Sequence, residues 1–162
     1  MKLAEALAER ADAQKRLEQL RSRAQAAARY QEGEEPVEDA NALLAEADEV
    51  LSRLEELIRR INRTNSSQEI EPGVTITDAI ARRDVLRLRR GLYAGLADAA
   101  AGQQGRGEWQ SFAPIRQMRS ELRSLSAVDV PALRRVADEV AKEHRELDTR
   151  VQQANWEVDL AD

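Results

Sequence analysis

Between Val37 and Ile61 the chain places an apolar residue at every third or fourth position: Val37, Ala40, Leu44, Ala47, Leu51, Leu54, Ile58 and Ile61. Almost four heptads of this spacing fit a helix whose seam packs along another helix. They do not fit a strand, in which side chains alternate with a period of two. The spacing predicts a helix from about Val37 to Arg63. The preceding stretch keeps a seven-residue repeat through Leu3, Ala6, Ala13, Leu17, Leu20, Ala24 and Ala27, with Arg10 as its one polar break and no Gly or Pro before Tyr30. Each helix would be about 40 Å long at ~1.5 Å per residue. Between them, Gln31 to Pro36 is acidic and contains the breakers Gly33 and Pro36. So short a connection makes the helices antiparallel, and residues 1–63 are expected to form a helical hairpin.

Residues 64–77 read as a polar and β connector. Asn62 to Ser67 are rich in side chains that compete with helix by bonding the backbone. Glu69 to Thr77 place β-branched residues around Pro72-Gly73, the pattern of a short strand or small hairpin. Thr77 stands where it could cap a third helix, with Asp78 at the positive end of its dipole. That helix is expected over residues 78–101. Ala81, Val85, Leu88, Leu92, Leu96 and Ala99 mark one face, and Ile80, Leu86 and Tyr93 widen it. From Leu92 onward it is apolar nearly all round, as in a helix buried on more than one side.

Residues 102–128 read as a Gly/Gln loop followed by a possible strand at Glu121–Leu125, which could equally be helix. The last helix is expected over residues 129–157, capped by Asp129 with Val128 stapled onto Leu133. Its apolar positions are Leu133, Val136, Val140, Leu147, Val151 and Ala154. These elements define a mainly α single domain: an antiparallel four-long-helix bundle with an N-terminal helical hairpin and a small β element.

A chain of 162 residues suits one domain, and 34% charged residues with few Gly and Pro suit long helices. Aromatic residues are only 3%, so Leu, Val, Ile and Ala must fill the core. Such a core is thin for a monomer. Self-association as a dimer or larger homo-oligomer is therefore expected, and the apolar surplus of the third helix makes Leu88, Leu92, Tyr93 and Leu96 the candidate interface. A further protein partner is compatible with the same surface.

Cysteine is absent from the sequence, which excludes disulfides, thiolate metal sites and Cys nucleophiles. Charged residues interrupt the N-terminal stretch, as a secretory signal does not allow. No run approaches the roughly 18 apolar residues of a membrane span. Cytoplasmic localisation is the expectation.

No acyl-transfer, P-loop or dinucleotide-binding motif occurs. Gly102 to Gly107 is Gly-rich, but no recognisable strand precedes it and no Lys-Ser/Thr comes after it, so it reads as a flexible loop. His144, the one histidine, has Asp148 at i+4 and Glu143 and Asp138 nearby. One His without Cys is a thin ligand set for zinc or iron. A Glu-x-x-His pair would need Glu where Ala141 stands. His144 falls at a seam position instead. No catalytic, cofactor-binding or metal residues are assigned, and enzyme activity is not expected.

Two polar features remain. Arg82, Arg83, Arg87, Arg89 and Arg90 form a candidate face for an anionic partner, with phosphate contact as its sharpest form. The alternative is a solvated face whose guanidinium groups pair with carboxylates of neighbouring helices, such as Glu46 to Glu49 or Glu55-Glu56. Asp84 within the run and the lack of interleaved aromatics favour the alternative. A net charge of −5 with mixed signs also argues against nucleic acid as a partner for the whole surface. The second feature is Asn62, Thr64 and Asn65. These can cap the helix and pin the adjoining strand, or line a polar pocket with Arg83 and Asp84.

Five stretches considered together carry a family resemblance: Arg60-Ile61-Asn62-Arg63-Thr64-Asn65, Arg83-Asp84-Val85-Leu86, Ser126-Ala127-Val128-Asp129-Val130, Arg145-Glu146-Leu147-Asp148-Thr149-Arg150 and Asn155-Trp156. In this order they resemble a bacterial family labelled septicolysin-like, otherwise of unknown function. The resemblance spans nearly the whole chain and implies no catalytic residues. The label itself implies a pore-forming haemolysin. Thiol-activated cytolysins carry a Trp-rich segment containing Cys, whereas this chain has no Cys and only the isolated Trp109 and Trp156. The residues thus rank a structural or scaffolding role first, an anionic-partner or nucleic-acid module next, and pore formation last.

Overall fold

A computed structural model describes residues 1–102 and 125–162. The sequence expectations for the Gly/Gln loop and most of the possible Glu121–Leu125 strand lie outside the described residues. The elements run α1 (Leu3–Ala27), α2 (Ala40–Ser67), β1 (Glu69–Glu71), β2 (Val74–Thr75), α3 (Ile76–Ala100) and α4 (Val130–Glu157). The fold is mainly helical with one small antiparallel sheet. The chain divides into two compact units, residues 1–78 with 151–162, and residues 79–150.

In the first unit α1 and α2 form an antiparallel hairpin. Its register is visible in three ion pairs, Glu9–Arg53, Arg16–Glu46 and Arg23–Glu38, whose positions rise along α1 as they fall along α2. Leu3, Ala6 and Leu20 of α1 and Leu43, Leu57 and Ile61 of α2 are buried. α2 starts three residues later than its apolar spacing suggests because Asp39 caps it. The Asp39 carboxylate accepts the N–H groups of Asn41 at 2.9 Å and Ala42 at 3.4 Å. Val37 consequently precedes the helix and is 98% exposed. Asp39→Ala should lower stability by about 1 kcal/mol, the usual worth of such a cap. Urea denaturation of the variant against the parent chain measures it.

At its other end α2 continues past Arg63 to Ser67. The hydroxyls expected to interrupt it instead donate back along the helix, Thr64 to the carbonyl of Arg60 at 2.9 Å and Ser66 to that of Arg63 at 3.0 Å. Beyond it, β1 and β2 pair antiparallel with Glu69 opposite Thr75 and Glu71 opposite Val74. The turn places Gly73 at φ +76°, a left-handed conformation that glycine adopts without strain.

Thr75, rather than the expected Thr77, caps α3, and the helix begins at Ile76. A capping box needs partners three residues apart, and Thr75 and Asp78 supply them. Asp78 N–H donates to Thr75 Oγ1 at 3.1 Å, while Thr75 N–H and Oγ1 donate to Asp78 Oδ2 at 3.1 and 2.6 Å. Ile76 N–H donates to the Gln68 carbonyl at 2.9 Å, so that donor is already satisfied.

The tail after α4 closes the first unit. Leu3 N–H donates to the Val158 carbonyl at 3.0 Å and Leu160 N–H to that of Met1 at 2.9 Å, with Lys2 paired to Asp159 at 3.0 Å. Ala161 N–H donates to Thr64 Oγ1 at 2.9 Å, and Arg60 Nε donates to the Ala161 carbonyl at 2.8 Å. Thr64 and Leu160 are both buried by this arrangement.

In the second unit α3 and α4 run antiparallel, joined by the ion pairs Arg82–Glu143, Arg83–Asp148 and Asp98–Arg134. Among the described residues its buried ones are Ala79, Leu86, Ala97, Ala137, Val140, Ala141 and Leu147, of which four are alanine. Asp129 caps α4 as its position suggests, accepting Ala132 N–H at 3.0 Å.

Candidate functional site

The apolar positions of α2 belong to two stripes rather than one. The doublets Leu43-Leu44, Val50-Leu51 and Leu57-Ile58 recur every seven residues, and their members are about 100° apart around the helix. The first stripe packs inward, with Leu43 5% and Leu57 0% exposed. The second faces outward, with Leu44 58%, Leu51 44% and Ile58 38% exposed. A seam drawn from sequence through Leu44, Leu51 and Ile58 as the inner one is thus corrected by one residue. Because both members of each doublet are apolar, spacing alone cannot choose between them. A groove of about 820 Å³ runs along the outer stripe, bordered by Asp48, Glu55, Arg59 and Asn62.

On α3 the candidate interface residues Leu88, Leu92 and Leu96 are exposed, and Tyr93 is half-buried. Val85 continues the same open stripe toward the start of the helix. A depression of about 350 Å³ lies beside it, between Arg82 and Arg89.

The arginine run divides. Arg82 pairs with Glu143, Arg83 with Asp148 and Asp84, and Arg87 with Asp84 at 3.9 Å. Arg89 and Arg90 are exposed and have no ion-pair partner among the described residues. The carboxylates engaged belong to α3 and α4. Of the α2 acids that the sequence offers to this run, Glu46 is held by Arg16 and Glu56 by Arg53.

Asn62 is exposed beside the α2 groove, Thr64 is buried beneath the tail, and Asn65 is half-buried with its Oδ1 shielded and unbonded. Arg83 and Asp84 lie in the second unit and hydrogen-bond each other at 3.3 Å. His144 is half-buried on α4. The role of Arg60 and Thr64 in holding residues 161–162 is not visible in the sequence, because nothing in the spacing indicates that the C-terminal tail returns to α2.

Two carboxyl groups are held below the usual carboxylate range, Glu38 by its hydrogen bond from Arg23 and Asp78 by those from Thr75. Each contributes stability that is present above the unfolded carboxyl pKa and fades as pH falls through the lowered one. Among the described residues no group of three or more His, Asp or Glu side chains could hold a metal ion. No described helix is long and apolar enough to cross a membrane.

Fold and site together define a long-helix protein with a small β hairpin and two outward-facing apolar stripes. Residues 10–160 match DUF6847, a family of unknown function, and the chain belongs to that family. The chain is also 40% identical to a functionally unknown conserved protein from Corynebacterium diphtheriae, whose crystal structure it matches with a TM-score of 0.85 over 99% of both chains. No curated protein matches the sequence.

Proposed function

We propose that this protein self-associates and serves as a structural or protein-interaction element in the cytoplasm. In this reading the four helices form an antiparallel bundle, and Leu88, Leu92, Tyr93 and Leu96 of α3 make the contact between copies. The observation that carries it is the exposure of Leu88 at 69% and Leu92 at 70%, on a helix whose described buried neighbours are largely alanine. Burying a large aliphatic side chain fully is worth about 1.5–3 kcal/mol, and side chains already half covered gain roughly half that. Four such residues supply about 3–6 kcal/mol per copy, against an association cost of about 4–15 kcal/mol. The α3 face therefore supports association, but a stable oligomer requires additional surface.

A second reading, contact with an anionic partner, rests on Arg89 and Arg90, the two arginines of the 82–90 run that are exposed and lack ion-pair partners among the described residues. It ranks lower because Arg82, Arg83 and Arg87 already engage carboxylates. The pore-forming activity named by the septicolysin-like label has no supporting feature among the described residues.

The test is the double variant Leu88→Glu/Leu92→Glu in the full chain. Its solution mass should fall to the single-chain 18.2 kDa while its far-ultraviolet helical signal is retained. A variant that keeps the mass of the parent assembly would overturn the α3 contact.

A further inference from the structure

The outer stripe of α2 has a charge pattern complementary to that of the α3 face. Along α2 the exposed residues alternate Leu44, Asp48, Leu51, Glu55 and Ile58. Along α3 they run Arg82, Val85, Leu88, Arg89 and Leu92. Asp48 and Glu55 are seven residues apart, as are Arg82 and Arg89, so each pair is separated by about 10.5 Å along its helix. The apolar residues share the interval, Leu44, Leu51 and Ile58 on one helix and Val85 and Leu92 on the other. Asp48, Glu55 and Arg89 have no ion-pair partner among the described residues. The acids of α3, by contrast, are already engaged, Asp84 by Arg83 and Arg87 and Asp98 by Arg134.

We infer that the α2 stripe of one copy docks onto the α3 face of a second copy across an apolar seam, with one of Asp48 and Glu55 meeting the unpaired Arg89 and the other meeting Arg82, which then shares its guanidinium with Glu143. This rests on the self-association proposed above and names what the α3 face receives. The depression between Arg82 and Arg89 is lined by Ala81, Val85, Leu86 and Glu143, the last held by Arg82, and is open to a Leu51 or Ile58 side chain from the second copy. Pairing of α2 with itself is disfavoured by charge. Two α2 helices antiparallel about Leu51 would set Asp48 of each copy near Glu55 of the other, twice over. Arg59, the one cation bordering the α2 groove, stands one position beyond Ile58 and does not offset that repulsion. The contact joins two different surfaces, so it either closes a ring or pair of copies or extends head to tail.

A charge swap tests the pairing. Asp48→Arg/Glu55→Arg puts like charge against like, and so does Arg82→Glu/Arg89→Glu in a separate chain. Each variant alone should associate at least tenfold more weakly than the parent chain in sedimentation equilibrium. Mixed one to one, they should recover the parent affinity, because both faces are then complementary again. Arg82 also holds Glu143, so Arg89→Glu alone serves as the second α3 variant and should weaken association without disturbing that ion pair.

If the parent chain is a single copy at every concentration, self-association fails and this inference fails with it. If the parent chain assembles and the α2 variant assembles equally well, self-association stands and the α2–α3 contact is overturned. Two weakened variants that do not recover on mixing overturn it as well.

Discussion

Leu57→Ala is expected to cost about 2–5 kcal/mol of unfolding free energy, while Ile58→Ala, one residue along and partly exposed, costs only about 1 kcal/mol. Leu57 is 0% exposed in the first unit, so truncation removes its transfer energy and leaves a cavity that its neighbours only partly fill. Ile58 is 38% exposed on the outer stripe and shares its surface with the α2 groove. The measurement is urea denaturation of both variants under conditions that keep the chain dissociated. Leu57→Ala should lower the midpoint with the slope unchanged, as for a loss of stability without a change in the surface exposed on unfolding. Equal costs at the two positions would mean that the helix is rotated relative to its partner and that the outer stripe is not a surface.

Removing residues 158–162 is expected to lower stability, with the loss of Leu160 burial, worth about 1.5–3 kcal/mol, as its largest part. The two backbone bonds to Met1 and Leu3 and the Ala161–Thr64 bond are lost with it, and their worth is offset by the ordering entropy of the tail. The exposed pairs Lys2–Asp159 and Arg60–Asp162 contribute little, because solvent screens them. Thermal unfolding should show the loss as a fall in the midpoint. A truncated chain as stable as the parent would show that the tail does not close the first unit in solution.

Much of this fold is legible from the sequence, and the particular residues show why. The three-and-four spacing through α2, the breakers at Gly33 and Pro36 and the Asp129 cap each reflect local physics, and the structure places helices, turn and cap accordingly. Pro72-Gly73 likewise marks the hairpin through the one backbone conformation that favours glycine. The misplacements have equally physical causes. Three apolar doublets on α2 offer two equivalent seams, and only contact with α1 selects Leu43 and Leu57 over Leu44 and Ile58. Both Thr75 and Thr77 can cap, and the acid three residues after Thr75 decides between them. The hydroxyl-rich end of α2 reads as a break, yet its side chains donate within the helix and Thr64 also receives the tail.

Of the candidate surfaces, the α3 face is legible as an apolar excess, because a helix apolar on nearly all sides needs more cover than one neighbour gives. Its acidic counterpart on α2 is not. The same leucines that read as an inner seam form the outer stripe. The arginine run is legible as charge, but not as a run whose first three arginines are occupied by Glu143, Asp148 and Asp84. Those pairings are mostly with a helix distant in sequence, which residue spacing does not reveal.

Sedimentation equilibrium of the unmodified chain, from low micromolar to submillimolar concentration, tests self-association most directly. The expected result is a mass that is a multiple of 18.2 kDa at the high end and declines toward that value on dilution. A mass of 18.2 kDa across the whole range would contradict it.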